Sequence, residues 1–128
     1  MTIDRVKLIG DVVTATGVLH LGLGVLAFGP PLAEMLGAGV VNTLSASTER
    51  QATLWFMVAG GFLVTAGLSI RWVRARTGLV PVPLAWGLLA IAAIGALVAP
   101  VSGFWLVLVE AIALLVAARR PQPAVAHG

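Results

Sequence analysis

The chain has 128 residues, of which 59% are hydrophobic and 10% are charged, and its net charge is +3. This composition excludes a soluble single domain, which would have to expose apolar patches to water, and it indicates an integral membrane protein. The absence of cysteine excludes disulfides, thiolate metal sites and dithiol redox chemistry. The positive charges lie at the ends of apolar runs, so we expect no nucleic-acid partner.

Four apolar runs predict an all-α integral membrane fold, a bundle of four transmembrane helices. About 20 helical residues cross a hydrocarbon layer about 30 Å thick. The predicted spans are residues 12–28, 52–70, 80–99 and 100–118. Residues 1–120 would form one membrane domain in contact with the lipid bilayer, and residues 121–128 a disordered tail.

The first span has a competing interpretation as a secretory signal peptide, because a short basic start precedes it. Polar residues interrupt its apolar stretch, and Gly-Pro-Pro at 29–31 is typical of a helix stop. We therefore expect an uncleaved span. Residues 29–51 would then form an extracytoplasmic loop, with either a helix lying on the headgroups, which we favour, or an interfacial helix or lid over an opening between helices. Thr48 and Gln51 make a capping-box pattern, which predicts that the next helix begins near Glu49.

The distribution of basic residues predicts that both termini are cytoplasmic. Of the eight lysines and arginines, seven fall on the side of the termini and only Arg50 on the other. Under the positive-inside rule this orients a multi-pass protein of the cytoplasmic, or inner, membrane. Trp55 and Trp105 then fall at the outer boundary, where aromatic belts occur.

His20 and Glu110 are the predicted catalytic residues. His20 lies nine residues from Asp11, and Glu110 lies nine residues from Arg119. At about 1.5 Å per residue both are roughly 13 to 14 Å from the cytoplasmic boundary, near the midplane. A charged side chain there is expensive and is usually functional. We predict that the two meet if the first and fourth spans are neighbours.

Such a pair would exchange a proton, since burial disfavours the charged carboxylate and a neighbouring histidine favours it. The favoured function is a cofactor-independent membrane enzyme: an isomerase, an epoxide-opening hydrolase or a cyclase acting on a lipophilic small molecule. The alternatives are a proton-coupled small transporter or efflux protein, and a structural subunit in which both residues only fix helix packing. No cofactor or metal is expected, because two histidines are too few for a haem or metal site.

Six further residues are predicted to line the ligand site: Thr16, Thr65, Ser102, Trp105, Trp55 and Phe56. The hydroxyl groups would bond to the ligand or, in the structural alternative, to His20 and Glu110, and the aromatic rings would stack on a flat ligand. For the segment around Trp105 we favour the competing interpretation, a Pro-Gly turn followed by an interfacial aromatic anchor, and we weigh Trp55 and Phe56, at matching depth, in the same way. Glycine- and alanine-rich faces left over after packing make a homo-oligomer an expected assembly.

Four sequence motifs carry a resemblance to a known family: Thr16-Gly17-Val18-Leu19-His20, Trp55-Phe56 with Ala59-Gly60-Gly61, Pro83-Leu84-Ala85-Trp86-Gly87, and Pro100-Val101-Ser102-Gly103-Phe104-Trp105. With these motifs the chain resembles an uncharacterised family of short bacterial four-span membrane proteins, known as a domain of unknown function. In its four short spans it is also similar to DoxX-like membrane proteins. The resemblance implies a topology and no activity.

Overall fold

The computed structural model describes residues 2–121, and this part of the chain is all-α, as predicted. Its five α-helices are α1 (Arg5–Ala27), α2 (Gly29–Gly37), α3 (Thr48–Thr77), α4 (Val82–Val98) and α5 (Phe104–Arg119), with a 3-10 turn at Leu44–Ala46. By length and composition α1 and α3 can cross a membrane. The helices α4 and α5 are shorter, with 17 and 16 residues. The predicted tail at 121–128 lies, except for Pro121, outside the described residues.

Each of the four apolar runs lies largely within one helix, but the helix bounds differ from those of the runs. The first span was predicted from residue 12, whereas α1 begins at Arg5; the second was predicted to end at residue 70, whereas α3 ends at Thr77. The helical backbone hydrogen bonds continue beyond the apolar residues. The first turn of α1 and the last turns of α3 therefore contain charged side chains. The fourth span was predicted from Pro100, but α5 begins only at Phe104, after a turn.

Local sequence explains how the helices begin. Asp4 precedes α1, and its Oδ1 accepts hydrogen bonds from the backbone N–H groups of Val6 at 3.1 Å and Lys7 at 3.3 Å. The Pro30-Pro31 pair lies in the first turn of α2, where a missing N–H costs nothing. The predicted capping box at Thr48 is wrong by one residue: Ser47 Oγ accepts from the Arg50 N–H at 3.1 Å.

The chain divides into two compact units. The first, here the middle unit, is residues 14–65. There α1 and α3 pack closely at glycines: a Cβ on Gly17 would lie 2.6 Å from the backbone nitrogen of Val64. The connection before α3 is tied down by Arg50, whose guanidinium donates to Glu34 Oε2 at 3.1 Å and to the Thr43 carbonyl at 3.2 Å. Residues 29–51 thus contain a helix, α2, and its location on the headgroups stays a prediction.

The second, here the terminal unit, is residues 2–13 with 66–121 of the described chain. Two ion pairs join α3 to the start of the chain: Arg74 Nε donates to Asp4 Oδ2 at 3.1 Å, and Arg71 pairs with Asp11. Partial burial raises the pKa of Asp4, but hydrogen bonding and charge from Arg74 and the N–H groups of Lys7 and Val6 outweigh it and hold that pKa below its ordinary 3.8. Asp4 is therefore ionised at neutral pH.

In the terminal unit α4 and α5 pack against each other. Fully buried small and aliphatic residues form this core: Ala85, Ala92, Ala111 and Leu114. The Phe104 ring occupies the space where Gly95 has no side chain. In contrast, large apolar side chains are exposed on every one of the five helices, among them Leu26, Leu36, Phe62, Leu97 and Val109.

Candidate functional site

Glu110 lies on α5 in the terminal unit, and its side chain is only 5% exposed. It shares the buried face of α5 with Val107, Ala111 and Leu114, which follow the three- and four-residue spacing of one helix face. Its neighbour Val109 points the other way and is 63% exposed. The carboxyl group is therefore enclosed by protein, halfway along a helix whose other charged residue is Arg119 at its end.

His20 lies on α1 in the middle unit and is half-buried. Its Nε2 is 3.0 Å from the backbone carbonyl oxygen of Phe56 on α3. A carbonyl can only accept a hydrogen bond, so Nε2 carries the proton and donates it. In the neutral ring Nδ1 is then the basic nitrogen. His20 therefore connects two helices and also presents one atom that can take up a proton.

Aromatic stacking fixes the orientation of the His20 ring. The rings of His20 and Phe56 are nearly parallel, with centroids 3.9 Å apart. Phe28 packs against Phe56 at 5.2 Å in a tilted arrangement. Gly60 makes room for the imidazole, since a Cβ there would lie 3.1 Å from His20 Cδ2. Of the predicted ligand-site residues in the middle unit, Phe56 therefore contacts His20.

Thr16, Trp55 and Thr65 are the other predicted ligand-site residues of the middle unit. Thr16 lies one helical turn before His20 and is half-buried. Trp55 is exposed over 67% of its surface. Thr65 is exposed, and its Oγ1 donates to the Gly61 carbonyl of its own helix at 2.9 Å. Bonding of this kind is typical of threonine within a helix and leaves the ligand-binding role of Thr65 a prediction.

Ser102 and Trp105 close the turn between α4 and α5 in the terminal unit. Ser102 Oγ donates to the Ala99 carbonyl at 2.6 Å, and Trp105 Nε1 donates to the Pro100 carbonyl at 2.9 Å. These bonds show that the segment is a turn, and the role of Trp105 as an interfacial anchor stays a prediction. Because His20 and Glu110 belong to different units, their predicted contact stays a prediction, as does a shared ligand site.

Sequence reasoning did not identify the charged pairs of the terminal unit. Asp4 and Asp11 near the start of the chain pair with Arg74 and Arg71 near the end of α3. The sequence does contain a clue to these pairs. The acidic residues before the first predicted span and the basic residues after the second lie at the same predicted membrane boundary. Opposite charges at one boundary favour pairing between helices.

Two cavities are formed by residues of the terminal unit. The larger, of about 600 Å³, lies among the start of α1, the end of α3 and the end of α5, and includes Asp4, Arg74 and Arg120 in its lining. The smaller, of about 370 Å³, is apolar and is lined by α4 and Phe104. Neither is lined by Glu110 or His20. Within residues 2–121 no cluster of three or more histidine, cysteine or acidic residues is arranged to hold a metal ion.

Together these features define an all-α protein with two helices of membrane-spanning length and a buried carboxylate in the middle of a third, apolar helix. The chain belongs to a family of unknown function, DUF6463, whose model matches residues 4–121. This confirms the predicted membership of an uncharacterised family. No curated protein and no solved structure matches the chain.

Proposed function

We propose that the chain is a membrane protein in which α1, α3, α4 and α5 all cross the bilayer, with both termini in the cytoplasm. The support is the exposure of large apolar side chains on all of these helices, which water would not tolerate and lipid would cover. At about 1.5 Å per residue α4 and α5 measure roughly 24 to 26 Å, and a bilayer can thin locally to match them.

This topology predicts which positions an impermeant reagent reaches from outside the cell. Because the chain has no cysteine of its own, any labelling of a single-cysteine variant occurs at the introduced cysteine. In intact cells Ser45→Cys and Val101→Cys should react with an impermeant maleimide, whereas Thr2→Cys and Thr77→Cys should react only after permeabilisation. Reactivity of Ser45→Cys and Val101→Cys from opposite sides would contradict a four-span arrangement.

The proposed activity is proton transfer at Glu110 to or from a lipophilic small molecule. The observation that supports this proposal is the burial of the Glu110 carboxyl group on α5. An acidic residue at a helix centre costs roughly 2.5 to 3.5 kcal/mol on insertion scales, whereas an interhelical hydrogen bond in a membrane returns on average about 0.6 kcal/mol. Packing alone therefore does not account for a glutamate where serine or threonine would serve.

His20 is the proposed second acid–base group. Its Nδ1 is the basic atom once Nε2 donates to Phe56, and its depth in the first predicted span equals that of Glu110 in the fourth. The reaction class remains that of an isomerase, an epoxide-opening hydrolase or a cyclase, with no cofactor, and a proton-coupled transporter is the alternative. For His20, but not for Glu110, a purely structural role is the alternative to acid–base chemistry, because its ring bonds to the Phe56 backbone and so joins two helices.

A lipophilic carbodiimide tests whether small apolar molecules reach Glu110. This reagent dissolves in the bilayer and forms an adduct with protonated carboxyl groups, so protein in liposomes should be modified at Glu110, as mass spectrometry of the peptides would show. The exposed residues Glu34 and Glu49 are internal controls, and they should react with a water-soluble carbodiimide instead. Glu110 that stays unmodified in lipid but reacts after denaturation would contradict the proposed access of a lipophilic ligand.

A further inference from the structure

The larger cavity of the terminal unit combines a charged rim with an apolar wall. Its charged lining consists of three arginines and one aspartate: Arg5, Arg74, Arg120 and Asp4. Apolar side chains of α1 and α5 complete it, among them Val6, Ile9, Ala113 and Val116. A cavity with polar residues at one end and aliphatic residues along its wall fits an amphipathic ligand.

The charge of the rim is positive. Asp4 is ionised and pairs with Arg74 at 3.1 Å, so it offsets one guanidinium. Arg5 and Arg120 are exposed at the same rim and bring the lining to a net charge of +2, from three arginines and one carboxylate. Guanidinium groups bind phosphate through paired hydrogen bonds, and basic pockets between helices on the cytoplasmic side suit anionic headgroups.

We infer that this cavity binds one anionic phospholipid of the cytoplasmic leaflet. Its phosphate lies at Arg5 and Arg120, while Arg74 is paired with Asp4, and an acyl chain follows the apolar residues of α1 and α5. The leaflet rests on the proposed topology, in which the start of α1 and the ends of α3 and α5 face the cytoplasm. The lipid is a bound structural or regulatory ligand, separate from the acid–base chemistry proposed at Glu110.

Native mass spectrometry of the purified protein tests this assignment with phosphatidylglycerol against phosphatidylcholine of identical acyl chains. Wild type should retain the anionic lipid with about tenfold or greater preference, a factor that corresponds to two guanidinium–phosphate contacts of modest strength. The double variant Arg5→Gln/Arg120→Gln should lose that preference. The matched control is Arg76→Gln/Arg119→Gln, which removes the same charge from the same end of the helices but not from the cavity lining, and it should keep the preference.

Three results would overturn the inference. Equal loss in both double variants would mean that surface charge alone attracts the lipid. Displacement of phosphatidylglycerol by inorganic phosphate at equal concentration would mean a site for a soluble anion. Loss of lipid preference in Glu110→Gln would mean that the effect does not belong to this cavity, whereas retained preference in Glu110→Gln separates the lipid site from the proposed function, which that variant abolishes.

Discussion

Replacing Gly17 by alanine is expected to lower the free energy of unfolding by about 1 to 3 kcal/mol, the usual cost of overpacking a tight contact. The added Cβ would lie 2.6 Å from the backbone nitrogen of Val64 and 3.0 Å from the Gly60 carbonyl oxygen. Both are backbone atoms of α3, so no side-chain rotation relieves the clash and the two helices must separate. Unfolding in mixed micelles with increasing denaturing detergent would measure the loss.

Gly22→Ala is the matched control, on the same helix and with the same added methyl group. A Cβ at Gly22 meets nothing within 4 Å, so only helix propensity changes, and we expect stability to rise by up to about 1 kcal/mol. Equal destabilisation by the two substitutions would contradict the close packing of α1 and α3 in the middle unit.

Replacing Glu110 by methionine, a linear apolar side chain of similar length, is expected to raise the free energy of unfolding by about 1 to 3 kcal/mol and to abolish activity. Removing the acidic group relieves a cost of roughly 2.5 to 3.5 kcal/mol, and the hydrogen bonds lost with it in a membrane are worth at most about 1.7 kcal/mol each. Such a trade of stability for function is common at functional sites.

The control for this substitution is Val109→Met, at the exposed neighbour of Glu110 on α5. It introduces the same side chain toward lipid, and its stability should stay within about 0.5 kcal/mol of wild type. If Glu110→Met instead lost more than about 2 kcal/mol, the carboxyl group would be holding helices together, and the structural subunit would be the better interpretation.

The helices were predictable from the sequence because each apolar run is long and bounded by charges or by glycine and proline. The positions at which the helices begin and end were less predictable. The charged turns that extend α1 and α3 have no apolar pattern, and capping by Ser47 instead of Thr48 depends on backbone geometry. A helix within residues 29–51 was expected because the apolar residues there recur partly at helical spacing, and α2 is that helix; whether it lies on the headgroups or covers an opening between helices stays a prediction.

At the candidate site, the apolar residues along α5 predict that Glu110 lies within an apolar helix, but they surround it on all sides of that helix and so do not predict which face is buried. The bond of His20 to the Phe56 backbone could not be predicted, since a main-chain carbonyl leaves no mark in a sequence. The same holds for Thr65, Ser102 and Trp105, whose polar atoms donate to nearby carbonyls. The sequence therefore shows which side chains at the site are polar, but the main-chain carbonyl that each of them bonds to depends on the folded backbone.

An infrared titration of the carboxyl C=O band, on purified protein in lipid, tests the central claim most directly. Wild type should show a band in the protonated carboxyl region that changes between about pH 5 and 8, the range in which a group exchanging protons at physiological pH must respond. The band should vanish in Glu110→Gln, persist in Glu49→Gln, and shift in His20→Phe, which keeps a ring on Phe56 but removes both nitrogens. A wild-type spectrum identical to that of Glu110→Gln at every pH would contradict a proton-exchanging carboxyl group.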